Sequence, residues 1–107
     1  MIPYSRVEKA LQFLAETDEE AAELKADVER AAHFVKRAKS LVVLHTNGTG
    51  PIKQATAETD PTVEKASEEY FVAIKNNSAM INKRKLQELV IDVWRSINSA
   101  RNKGQII

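Results

Sequence analysis

Hydrophobic and polar positions follow a helical period along most of the chain. Ala21, Leu24, Val28, Ala31, Val35, Ala38 and Val42 succeed one another at steps of three and four. That spacing lays all seven on one narrow stripe, which needs a partner helix pressed against its length. Upstream, Ser5 and Glu8 form an S-x-x-E capping pattern, and Val7, Ala10, Leu11 and Leu14 share a face flanked by Phe13. This predicts a first helix over about 5–15. Thr17 and Glu20 repeat the pattern ahead of a second helix over about 18–45, although one bent helix is the alternative because no Gly or Pro separates the two. Asn47 or Gly48 can take the left-handed conformation at a helix end, and Pro51 blocks resumption, so 46–60 is expected to be a loop. Asp60-Pro61 then opens a third helix, over about 61–102, with nothing to break it before Gly104.

The apolar positions of the third helix are Val63, Ala66, Tyr70, Phe71, Ile74 and Ile81, then Leu86, Leu89, Val90, Val93, Trp94, Ile97 and Ala100. Asn76, Asn77 and Ser78 interrupt them, and the stripe shifts phase near Lys83–Lys85, which predicts a kink or a change of partner. At 1.5 Å per residue the second helix is roughly 40 Å long and the third roughly 60 Å, so the third overhangs by roughly 20 Å. The overhang carries Leu89, Val90, Val93, Trp94 and Ile97. The first helix can cover part of that surface, and another copy is the natural cover for the rest. These five residues are the expected oligomer interface. The fold class is therefore all-α: one domain spanning 1–107, with a short N-terminal helix and a long antiparallel, coiled-coil-like helical hairpin, assembling as a homo-oligomer.

Composition adds exclusions. The chain of 107 residues has no cysteine, so disulfides, thiolate nucleophiles and Cys-based zinc sites are out. No apolar run reaches the length of a membrane span, and the N-terminus lacks a signal-peptide pattern, which points to the cytoplasm. Net charge is only +1, but the charges are blocked. Residues 1–29 carry three basic and eight acidic groups, 30–57 five basic and none acidic, 58–70 one basic and five acidic, and 71–107 seven basic and two acidic. A polyanion responds to those local fields more than to the sum.

Nothing in the pattern is an active site. His33 and His45, twelve apart, do not make a metal motif, and no metal or cofactor is expected. The carboxylates at Glu19, Glu20 and Glu23 and at Glu68 and Glu69 read as solvated helix faces. Gly48-Thr49-Gly50-Pro51-Ile52-Lys53 has the wrong spacing for a phosphate loop, and Pro51 removes an amide from it. The basic groups are the functional lead. Lys83, Arg84 and Lys85 form a cluster in sequence, and Lys36, Arg37, Lys39 and Lys53 form a second group. Such groups bind phosphates without reading sequence.

Ala66-Ser67-Glu68-Glu69-Tyr70, then Lys83-Arg84-Lys85, then Ile91-Asp92-Val93-Trp94-Arg95-Ser96 resembles a run found in small phage proteins encoded among recombination and single-strand-binding genes. The layout over roughly 30–103 resembles the UvsY-type phage recombination mediators. That resemblance implies a small oligomeric helical protein in the cytoplasm of an infected cell. It would bind single-stranded DNA and help load a recombinase onto strands coated by single-strand-binding protein. The alternative is a coiled-coil adaptor that binds only protein. An enzyme ranks last.

Overall fold

The computed structural model describes residues 1–106, and they form four helices: α1 (Tyr4–Glu16), α2 (Asp18–His45), α3 (Gly50–Thr59) and α4 (Pro61–Ile106). No strand occurs among the described residues, so the fold is all-α. Contacts group the chain into two compact units. One joins Met1–Ala22 to the chain from Ala79 onward; the other is Glu23–Ser78. The last helix therefore changes partner between Ser78 and Ala79, ahead of the Lys83–Lys85 stretch where the change was expected.

In the first unit α1 lies antiparallel to the C-terminal half of α4. The Tyr4 ring sits 5.6 Å from that of Trp94, the Met1 sulfur accepts from Arg101 Nη1, and the Leu14 carbonyl accepts from Arg84 Nη1. Val7, Ala10 and Ile91 form the buried centre, and Ile2, Leu14, Val90 and Trp94 pack around it. Burial of side chains such as Val7 and Ile91 contributes about 1.5–3 kcal/mol each.

In the second unit every predicted seam position of α2 from Leu24 to Val42 is half-buried, and Ala57 and Val63 are fully buried. The chain reverses here: Ala38, Val42 and His45 from the end of α2 border the same hollow as Thr56, Asp60 and Thr62. Thr46 closes α2 by donating its hydroxyl to the Val42 carbonyl at 2.6 Å. That satisfies an acceptor the last turn leaves free.

Several local expectations change. Residues 50–59, expected to be loop, form α3. α2 ends at His45, well before Pro51, which instead stands in the first turn of α3, where its missing N–H is not needed. Burial of Ala57 holds this threonine-rich turn, and Thr56 and Thr59 return their hydroxyls to the carbonyls of Ile52 and Ala55. α1 starts at Tyr4 with Pro3 as its extended flank and no side-chain cap, so Ser5 and Glu8 do not form the capping box. Thr17 ends α1 rather than capping α2, donating to the Phe13 carbonyl at 2.7 Å. Asp60 does cap α4, accepting from the Thr62 amide at 2.8 Å.

The last helix shows no shift of phase. Val63, Ala66, Tyr70, Ala73, Asn77, Met80, Arg84, Gln87, Ile91, Trp94 and Asn98 are all buried or half-buried and alternate at steps of three and four without a break. That is a 3.5-residue repeat in which Asn77, Arg84, Gln87 and Asn98 occupy seam positions. An apolar count skips these four and therefore sees an interruption.

Candidate nucleic-acid interface

Lys83, Arg84 and Lys85 are adjacent in sequence but not on the surface. Each step along an α-helix turns by about 100°, so three consecutive side chains leave in three directions. Arg84 points into the seam of α4. Its Nη1 donates to the Leu14 carbonyl at 2.9 Å and to Thr17 Oγ1 at 2.7 Å, and its Nη2 approaches Asp18 Oδ1 at 3.5 Å. The Leu14 carbonyl belongs to the last turn of α1, which has no intrahelical donor and bears the negative end of the helix dipole. Arg84 is therefore a cap supplied to α1 by a distant helix. Its side chain is 20% exposed while that of Asp18 is 82% exposed, so the hydrogen bonds to α1 outweigh the ion pair. The expectation that this tripeptide forms one cationic cluster does not hold. Lys83 and Lys85 are exposed on opposite flanks of the seam.

The second basic group lies in the second unit. Lys36, Arg37 and Lys39 are exposed on α2, and Lys53 is half-buried on α3. Helical turning puts Lys36 and Lys39 on one flank of the α2 seam and Arg37 on the other. Lys39 borders a shallow hollow with Glu58 and Glu64, so part of its field is answered by carboxylates. Arg37 lies one turn beyond Phe34, whose side chain is 55% exposed. Arg30, the fifth basic residue of the 30–57 stretch, is held by Asp27 and Glu23, whose carboxylates accept from it and raise its pKa above the ordinary value. Among the described residues, Lys36, Arg37, Lys39 and Lys53 form no ion pair.

The expected oligomer interface divides. Val90 and Trp94 pack against the core beneath α1, and Trp94 meets Tyr4 of its own chain. Ile97 is half-buried. Leu89 and Val93 remain exposed, and Leu86 joins them. The overhanging ridge has two sides: α1 covers one and leaves the other bare. The periodicity could have separated the two, because Leu86, Leu89 and Val93 stand two residues after Arg84, Gln87 and Ile91.

His33 is exposed near the Phe34 ring, and His45 borders the open hollow at the end of α2. Among the described residues no group of three or more metal-binding side chains gathers, and no helix is long and apolar enough to cross a membrane. No protein-family model matches the chain, and searches of curated proteins and of solved structures return no match.

Proposed function

We propose that this protein is a non-enzymatic, self-associating accessory protein that holds single-stranded DNA against α2 and α3, in the setting of phage recombination implied by the resemblance. A recombinase or single-strand-binding protein would then be its protein partner. What supports the reading is the stretch 30–57, which carries no Asp or Glu and exposes Lys36 and Lys39 on one flank of the α2 seam and Arg37, one turn beyond the exposed Phe34, on the other. Cations that track a phosphate backbone, with an aromatic face for a base, suffice for binding without sequence preference. Arg84 has no part in it, because its donors are engaged inside the first unit.

The test is fluorescence anisotropy of a labelled oligothymidylate across a salt series. Four phosphate contacts give a slope of about −3 in log K against log salt for a single strand. Reversing charge at Lys36, Arg37 and Lys39 together should abolish binding, and Phe34→Ala should weaken it about tenfold. A chain that assembles but binds no strand at low salt would instead support the protein-only adaptor. The bare apolar positions of α4 favour that second reading.

A further inference from the structure

We infer that the bare stripe Leu86, Leu89 and Val93 of α4 is the seat of a second copy of this chain, docked antiparallel across a two-fold axis. The inference deepens the assembly part of the function proposed above and needs nothing from its nucleic-acid part.

Two residues along a helix turn by about 200°, so Leu86, Leu89 and Val93 face away from the seam that α1 occupies. They are 55%, 58% and 39% exposed. They recur at steps of three and four, and Ala79 and Ala100 extend the same stripe in either direction. α4 thus carries two heptad faces, one filled by its own chain and one empty. A face of this pattern fits another helix rather than a small ligand.

The flanking charges select the occupant. Lys85 and Asp92 lie seven residues apart on the same edge of the stripe, both exposed, and neither forms an ion pair among the described residues. In an antiparallel helix pair each edge meets the same edge of the other helix. Leu86 then lies against the partner's Leu89, Leu89 against the partner's Leu86, and Lys85 beside the partner's Asp92. The axis passes between the levels of Gln87 and Glu88, and the ion pair forms twice. The surface is self-complementary, which is what a two-fold interface requires. A parallel copy would bring this edge against the opposite one, where Lys83 and Val90 stand, and would leave Asp92 without a cation.

Sedimentation equilibrium of the full chain without nucleic acid tests the inference, with circular dichroism to verify that each variant stays helical. The wild type should assemble in even numbers, and Leu89→Glu should weaken association by more than tenfold. Lys85→Asp and Asp92→Lys should each weaken it about tenfold, and K85D/D92K should restore it to near the wild-type value. A monomeric wild type, an L89E variant of unchanged mass, or a double variant no better than its parents would overturn it. Charge reversal at Lys36, Arg37 and Lys39 should leave the mass unchanged, so loss of strand binding and loss of assembly are read separately.

Discussion

The two units of this protein are both made of paired helices, yet they are held by different means. In the first, α1 and α4 share a buried apolar centre of Val7, Ala10 and Ile91 and are tied by Arg84. Among the described residues, every side-chain hydrogen bond between residues distant in sequence lies in that unit. In the second, Ala57 and Val63 are the fully buried residues, and the α2 seam is a half-buried run of alanine, valine and leucine. Apolar contact has no direction, whereas a guanidinium aimed at one carbonyl does. The first unit therefore specifies a single register, and the second specifies a face with little to oppose sliding along it. Recognition surfaces sit more readily on the less constrained part, and the exposed cations of α2 lie there.

The sharpest way to break this contrast is to remove packing from each centre in turn. Ile91→Ala should cost about 2–5 kcal/mol, because the cavity opens in a centre with few other buried side chains to refill it. Val63→Ala should cost less, since it deletes less apolar volume. Chemical denaturation at fixed protein concentration measures both. Hydrogen exchange should show Tyr4–Glu16 losing protection first in the Ile91 variant. A larger loss for Val63→Ala would invert the comparison.

Arg84 carries the next largest effect. Arg84→Ala leaves the Leu14 carbonyl of α1 without its donor and should cost about 1–3 kcal/mol. Arg84→Lys should recover only part of this, because an ammonium cannot reach Leu14, Thr17 and Asp18 with a planar fork. Asp18→Asn should be nearly silent, since that carboxylate is exposed and its ion pair is screened. Thermal melting at low and high salt separates the alternatives. A strongly salt-dependent loss would show that the ion pair, not the cap, holds α1.

How far the fold was legible in the sequence follows from the same chemistry. The α2 seam was read residue by residue from its spacing, because Ala, Val and Leu at steps of three and four admit one interpretation. The α4 seam is hidden in the sequence, because Asn77, Arg84 and Gln87 hold seam positions and look like surface. A polar residue declares its burial only through its partner, and the partner of Arg84 lies some seventy residues away. The basic tripeptide misleads for the converse reason: adjacency in sequence is dispersal on a helix. α3 resembles a loop in sequence because Thr, Gly and Pro disfavour helix interiors, yet Gly50 and Pro51 stand in its first turn and Ala57 is buried. Of the candidate surfaces, the acid-free stretch could be read directly from the charge blocks. The bare stripe emerges only once α1 is seen to fill the other side of α4.

The smallest effect lies at the turn between α2 and α3, and it sharpens what the second unit does specify. Gly48 has φ of +130°, a conformation that side chains rarely adopt. A Cβ there would stand 3.1 Å from Ile52 Cγ2 and 3.3 Å from Ile52 Cβ. Gly48→Ala must therefore strain the backbone and push against the first turn of α3, and should cost about 1 kcal/mol or somewhat more. Gly50 is the internal control. A Cβ at Gly50 meets nothing within 4 Å, and the residue opens α3. Gly50→Ala should be neutral or stabilising by up to about 1 kcal/mol, through a less flexible unfolded chain. Paired melting curves decide the matter. If Gly48→Ala proved as harmless as Gly50→Ala, the turn would not fix where α3 begins. The second unit would then rest on its apolar seam alone.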